Sequence, residues 1–180
     1  MGETKLEKYK GKRDFRKTSE PTGDDVEFKW SDERPVFVIQ KHDASNLHYD
    51  FRIEVDGVLK SWAVPKGPST DPSVKRLALP TEDHPLAYAD FEGVIPEDEY
   101  GGGTVLVWDR GSYRNLKEEE DGESAMSVAD QIDDGHVTIW LEGEKLSGGY
   151  ALIRTEKGED ARWLLIKMDD DEADARRDPT

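Results

Sequence analysis

From Leu47 to Val55 every second residue is apolar (Leu47, Tyr49, Phe51, Ile53, Val55), the period of a half-buried strand rather than of a helix. The intervening face carries His48, Asp50, Arg52 and Glu54. Same-face neighbours on a strand are two rises of about 3.3 Å apart, so an imidazole, a carboxylate and a guanidinium form one polar row. Asp56-Gly57 between apolar runs predicts a tight hairpin turn, because both positions tolerate positive φ, and Val58–Val64 returns as the partner strand. Val36–Gln40 predicts a third strand. His42 lies just past its end, one short Asp-Ala-Ser-Asn loop before His48.

Further along, Lys75–Pro80 predicts a short strand, and His84, which precedes Pro85, is expected in a loop because a residue before proline is pushed to extended geometry. The triplet Gly101–Gly103 predicts a bend into the next strand. Thr104–Asp109 and Ser112–Leu116 are expected to form a hairpin around Arg110-Gly111. A short helix is expected near Ser124–Ile132, then strands at His136–Leu141, Gly149–Arg154 and Arg162–Met168. About eight short strands with little helical periodicity predict a mainly β protein, an antiparallel barrel or sandwich with short flanking helices. Trp62, Trp108, Trp140 and Trp163 fall in strands and are expected in the core.

Length and charge change this picture only at the ends of the chain. At 180 residues one domain, residues 1–168, is the simplest organisation, and residues 169–180 read as an acidic disordered tail. Residues 1–35 form a polar arm with Tyr9, Phe15, Phe28 and Trp30 as anchors and a turn at Pro21-Thr22-Gly23-Asp24-Asp25. On composition alone the arm reads as a solvated surface segment. The net charge is −16, which argues against broad phosphate binding, but residues 118–180 hold most of the excess acid and Lys5–Lys17 carries seven basic residues against two acidic ones. A local anion site is compatible with that distribution. With no cysteine, any metal must use His and carboxylate. No segment approaches the ~20 apolar residues of a membrane span and no apolar leader is visible, so a soluble cytoplasmic protein is expected, with no membrane partner.

His42, His48 and Asp50 make a plausible set for a divalent transition metal with open positions for water and substrate. The alternative is two surface histidines paired with Asp43 and Asp50. Arg52 on the same face offers a planar fork suited to phosphate or carboxylate, and Lys66, Arg76 and His84 would add cationic groups. Together they suggest phosphoryl transfer to water. Each of these has a plainer reading: Lys66 as a solvated loop lysine, Arg76 paired with Glu82 or Asp83, and His84 as a structural histidine.

The run Phe37-Val38-Ile39-Gln40-Lys41-His42-Asp43-Ala44-Ser45-Asn46-Leu47-His48-Tyr49-Asp50-Phe51-Arg52, followed by Ser61-Trp62-Ala63-Val64-Pro65-Lys66-Gly67-Pro68, closely resembles the 3′-phosphoesterase family. That family occurs as a module of the bacterial end-joining ligase LigD and as stand-alone proteins. Lys12-Arg13-Asp14-Phe15 with Thr18, Glu20 and Pro21, Arg76-Leu77-Ala78, Glu82-Asp83-His84-Pro85-Leu86 with Tyr88, and Trp108-Asp109-Arg110-Gly111 extend the likeness over nearly residues 8–168. The resemblance implies a β-barrel whose N-terminal arm folds over the active-site face. It also implies a manganese-dependent enzyme, with Co2+ or Zn2+ as other candidate ions. Such an enzyme trims 3′ ends of DNA or RNA–DNA primer-templates. It first removes a terminal ribonucleoside, looking to the 2′-hydroxyl of the penultimate ribose, and then the 3′-phosphate, leaving a 3′-hydroxyl.

By the same match His42, His48 and Asp50 would hold the metal, Arg52 and His84 would contact the scissile phosphate, and Lys66 and Arg76 would serve monoester more than diester cleavage. Tyr88, Gln40, Glu82, Arg13, Asp14 and Glu20 would support the site. A separate DNA ligase, a polymerase or primase and a Ku-like end-binding protein are the implied partners. Asp98, where the family commonly has Gly, and the acidic stretch 117–135 depart from the pattern. A catalytically silent module that binds nucleic-acid ends is the competing expectation, and an iron oxygenase built on two His and one carboxylate is a third.

Overall fold

The computed structural model describes residues 6–23, 34–158 and 161–180. Phe28, Trp30 and the Asp24-Asp25 half of the expected turn lie outside the described residues. Among the described residues nine strands appear in chain order: β1 (Val36–Asp43), β2 (Leu47–Val55), β3 (Val58–Val64), β4 (Lys75–His84), β5 (Gly93–Ile95), β6 (Gly103–Asn115), β7 (His136–Gly143), β8 (Ser147–Glu156) and β9 (Arg162–Lys167). Eight close into an antiparallel barrel in the order β1-β2-β3-β4-β9-β8-β7-β6, sealed by β6 against β1, while β5 adds to β6 outside the ring. Closure removes the exposed edges that an open sheet of short strands would leave. The barrel expectation therefore holds over the sandwich.

The Asp56-Gly57 turn forms as expected, with φ of 51° and 84° at its two central residues, the pair of positive values that matches strand twist. The Gly101–Gly103 bend also forms, with φ of 76° at Gly101 and 139° at Gly103. Asp98 sits exposed in the same turn and does not need positive φ, so the departure from Gly is accommodated.

The expected hairpin at Arg110-Gly111 does not form. β6 runs unbroken through both residues, pairing with β1 on one side and β7 on the other. Gly111 serves close approach instead of a turn: a Cβ there would lie 2.0 Å from the Glu142 carbonyl oxygen. β4 likewise continues past Pro80 to His84, which pairs with Leu59. The extended geometry imposed by Pro85 is as compatible with a strand end as with the loop expected for His84. The acidic stretch after β6 holds more structure than one helix. α2 (Leu116–Asp121) is capped by Asn115, whose side chain accepts from the Lys117 amide, and α3 (Val128–Asp134) is capped by Ser127 and ended by a left-handed Gly135. These are the terminal devices that such short helices need.

Two apolar clusters organise the molecule. One fills the barrel, with Phe37, Ile39, Phe51, Ile53, Trp62 and Trp163 among its members. The other lies on the outer wall, where Val36, Val38 and Leu59 meet Tyr9, Tyr88, Phe91 and Ile95. Trp62 and Trp163 are buried as expected, Trp108 packs only partly against the interior, and Trp140 is half-buried beneath the Arg114 guanidinium. The outer cluster exists because the arm, with its short helix α1 (Glu7–Gly11), the 3₁₀ turn Leu86–Asp90 and β5 cover β1–β3. β1 and β2 are consequently buried on both faces, not one.

The tail, expected to be disordered, also lies against the barrel. Asp170 accepts from Lys167 Nζ at 2.6 Å and from the Gly149 amide at 2.8 Å. These partners give the acidic segment specific places to dock, which composition alone does not reveal. Among the described residues no helix is long and apolar enough to cross a membrane.

Candidate metal and phosphate site

The β1–β2 register sets His42 opposite His48 and Gln40 opposite Asp50. One ligand atom from each of His42, His48 and Asp50 falls within 4.8 Å of the others. His42 Nδ1 and His48 Nε2 face Asp50 Oδ2 at 3.5 and 3.3 Å. Each ring's other nitrogen is held by the main chain: His42 Nε2 lies 2.6 Å from the Gly101 carbonyl and His48 Nδ1 lies 3.0 Å from the Asn46 carbonyl. A carbonyl only accepts, so those nitrogens carry the protons and, in the neutral rings, the inward nitrogens present lone pairs. Two lone pairs and a carboxylate oxygen aimed at one point repel one another unless a proton or a cation lies between them. The donor set thus fits a divalent metal, and main-chain hydrogen bonds orient its imidazoles in the way that supports metal ligation.

The electrostatics agree. Burial alone would raise the Asp50 carboxyl, but the Arg52 guanidinium, and the hydrogen bonds that His42 and His48 give when a proton occupies their inward nitrogens, outweigh it and hold the group well below the usual carboxylate range. His48 is raised, first through its hydrogen bond with Asp50. His42 pairs with Asp50 and not with the exposed Asp43, which removes half of the surface-pair alternative.

Arg52 is buried beside this cluster. Its Nε donates to Gln40 Oε1 at 2.8 Å, its Nη2 lies 3.4 Å from Asp50 Oδ2, and its guanidinium packs 4.9 Å from the centre of the Tyr88 ring. Gln40 is fully buried and donates in turn to the carbonyls of Tyr88 and Phe91, so it fixes the arginine and the covering turn together. His84 Nδ1 lies 2.8 Å from the Glu82 carbonyl and 3.1 Å from Arg52 Nη1. Burial, with Arg52 and Arg13 close by, pushes His84 well below its ordinary range and keeps it neutral.

The arm supplies the roof. Arg13, almost fully buried, bonds Glu20 at 2.9 Å and Glu82 at 3.3 Å and reaches to 3.4 Å from His84 Nε2. Tyr88 donates to Glu20 at 2.6 Å. A carboxylate–guanidinium–carboxylate chain thus ties the arm to β4, with the charges paired as burial requires. These groups enclose a cavity of about 190 Å³ shared by Arg13, His42, His48, Asp50, Arg52 and His84.

Five sequence-proposed residues do not line it: Gln40 and Glu20 sit behind Arg52 and Arg13 as their partners, and the other three stand apart. Asp14 accepts from Arg16 at the surface of the arm, at 3.1 Å. Lys66 and Arg76 line a separate cleft of about 280 Å³ with Pro65, Lys75 and Leu77. Arg76 is not paired with its expected neighbours, since Glu82 binds Arg13 and Lys12 while Asp83 binds Lys60. Its Nε is buried with no hydrogen-bond partner among the described residues. The two cavities follow one another along the β3–β4 pair, Ala63 and Thr81 lining the first and Pro65 and Leu77 the second, about 13 Å apart along β4 at the usual strand rise.

The sequence assigned no part in the site to Lys12, Tyr100 or Gly101, Gly101 being read only as part of a bend. Lys12 packs 4.7 Å from the Tyr100 ring centre at the cavity mouth, and Gly101 acts through its carbonyl, which no side-chain pattern advertises.

A model of the DNA ligase D 3′-phosphoesterase domain matches residues 40–154. The chain is 53% identical over 169 residues to the multifunctional non-homologous end joining protein LigD of Pseudomonas aeruginosa, covering 93% of this chain and 19% of that protein. It is 45% identical over 171 residues to the corresponding DNA repair protein of Mycobacterium tuberculosis, covering 91% of this chain and 20% of that one. The Mycolicibacterium smegmatis protein is 44% identical over 168 residues, at 92% and 21% coverage. The chain spans about a fifth of the length of these curated relatives.

Proposed function

The chain belongs to the DNA ligase D 3′-phosphoesterase domain family, and from that premise we propose that it is a manganese-dependent hydrolase that heals 3′ ends of nucleic acid in DNA end joining. It would remove a 3′-terminal ribonucleoside from a DNA or RNA–DNA primer-template and then take off the resulting 3′-phosphate, leaving a 3′-hydroxyl. The observation that carries this reading is the convergence of His42 Nδ1, His48 Nε2 and Asp50 Oδ2 beside a buried arginine.

His42, His48 and Asp50 would hold the ion, which when bound supplies Lewis-acid polarisation of a phosphoryl oxygen. The protein's own groups do the rest. Arg52, immobilised at Nε by Gln40 and with its Nη atoms beside Asp50 and His84, would present its charge to the phosphoryl oxygens and stabilise the charge that grows on them. His84, neutral and buried, is suited to move a proton at Nε2 while the Glu82 carbonyl holds Nδ1–H. Arg13 and Glu20 keep the roof closed over both and limit water. Lys66 and Arg76, in the neighbouring cleft, would meet the more highly charged monoester. An oxygenase would have no general need of so many cations. A cytoplasmic site of action, with separate ligase, polymerase or primase and Ku-like proteins as co-workers, follows from the same reading.

The test is to incubate the purified protein with manganese and a primer ending in one 3′-ribonucleotide or in a 3′-phosphate. Stepwise conversion to a 3′-hydroxyl end is expected. Binding of the primer without processing under any divalent metal would leave a silent end-binding module in its place.

A further inference from the structure

Beyond β9 the chain turns back across the barrel, and its contacts are specific. Lys167 is fully buried, and its Nζ donates to Asp170 Oδ1 at 2.6 Å and to the Met168 carbonyl at 2.9 Å. Asp170 also accepts from the amides of Gly149 and Glu172, at 2.8 and 2.9 Å. Four residues on, the Asp174 amide donates to the Thr70 carbonyl at 2.8 Å and Thr70 Oγ1 donates back to the Asp174 carbonyl at 2.7 Å. A buried lysine is costly without a partner, so the Lys167–Asp170 pair is an anchor. The two bonds at Thr70 are a clip.

The clip grips the β3–β4 loop, which carries Lys66. Within that loop Thr70 is 2% exposed and Gly67 turns on its own bond to the Val64 carbonyl at 3.1 Å. Gly67 is also crowded by the tail, since a Cβ there would lie 2.7 Å from Thr180. Lys66 itself is exposed beside Arg76 in the second cleft. Among the described residues no side chain bonds Lys66, so the loop backbone sets its register.

We propose that residues 168–174 form a strap that positions the Lys66 loop, with Lys167, Asp170 and Thr70 as positioning residues for the binding of a terminal 3′-phosphate. The proposal rests on the reading of Lys66 as a phosphate contact. The strap sets the loop and the loop sets Lys66, whereas the first cavity, built on β1, β2, the arm and the Ala63 and Thr81–His84 parts of β3 and β4, shares no lining residue with the strap or its loop.

The experiment is a double-mutant cycle in the full chain: Thr70→Val and Asp170→Asn, each alone and combined with Lys66→Ala, followed on a 3′-phosphate primer and on a primer ending in one 3′-ribonucleotide. Thr70→Val deletes one hydrogen bond and keeps the shape. It is expected to raise KM for the 3′-phosphate about fivefold, to leave ribonucleoside removal unchanged, and to cost nothing further once Lys66 is alanine. Equal losses on both substrates, or the same loss with and without Lys66, would overturn the strap. Asp170→Asn leaves Lys167 without its charge partner, and if that variant does not fold, Thr70→Val alone decides. The same cycle is read as the Kd of the 3′-phosphorylated primer without metal. If the wild-type protein hydrolyses nothing, the esterase reading fails, while coupling of Thr70 to Lys66 in binding still upholds the strap and equal weakening in both backgrounds overturns it.

Discussion

The barrel interior and its covered outer wall are built from the same strands and do opposite things with burial. Inside, Phe37, Ile39, Phe51 and Ile53 meet other apolar side chains, and burial simply stabilises. Outside, the residues between them, Val38, Gln40, Asp50 and Arg52, are as thoroughly buried, but the cover of Tyr9, Tyr88 and Arg13 encloses charge along with apolar surface. There burial makes chemistry: it neutralises His84, sharpens the attraction of Arg52 for an anion, and leaves ligand lone pairs facing one another. Neighbouring positions on β2 therefore separate stability from function.

The largest break in that symmetry is expected at Asp50 and Phe51. Asp50→Ala should abolish turnover and metal binding, since one of three protein ligands is lost, and isothermal titration with manganese checks it. Phe51→Ala, one residue on and facing inward, should cost about 3–5 kcal/mol of stability by chemical denaturation. Retained activity in Asp50→Ala would remove the metal assignment. Next in size, Arg52→Ala should slow both hydrolyses tenfold or more, as a charge-assisted contact is worth about 1.5–3 kcal/mol. Arg52→Lys should not recover the rate, because an ammonium cannot bond Gln40 and a phosphoryl oxygen with one planar fork. Full rescue by lysine would mean that charge alone matters there.

The pH dependence sharpens the contrast further. His48 is raised by its partner Asp50, so its protonated form persists above the ordinary value of ~6.5. In the metal-free protein this interaction stabilises the fold below the unfolded-state value and is lost as pH rises through the folded one. Metal must displace that proton, so manganese affinity should fall with decreasing pH, starting above pH ~6.5 and by up to about tenfold per unit for one proton. Affinity that stayed flat between pH 8 and pH 6 would argue against His48 as a ligand. The smallest effect is expected at Tyr88→Phe, which deletes the 2.6 Å bond to Glu20 and should lower stability by about 1 kcal/mol while the barrel interior is untouched.

What the sequence made legible was local. The alternation of β2, the Asp56-Gly57 turn and the cluster of His42, His48 and Asp50 need only neighbouring residues to be read. The second buried face was not, because its cover comes from segments distant in the chain: Arg13 reaches Glu82 and His84, 69 and 71 residues on, and periodicity carries no trace of it. Resemblance to the family, not patterning, pointed to the arm as a cover. Gly111 misled because glycine serves both turns and close approach, and only the neighbouring strand decides between them. β5, three residues long, is too short to show a period. Asp14 sits next to Arg13 in sequence, yet it turns outward to Arg16, so adjacency in a matching motif did not place it in the cavity.

The two imidazoles proposed as metal ligands, His42 and His48, are steered by backbone carbonyls, at Gly101 and Asn46. Amino-acid replacement cannot delete a carbonyl oxygen, so drift at these two positions cannot remove the steering groups themselves. It can only displace them, by changing the path or length of the Pro96–Gly103 turn and of the short loop between β1 and β2. Insertions and deletions in those two loops are then the mutational route by which ion preference would diverge among descendants of this chain, and a library varying loop length would explore it more directly than one varying residue identity.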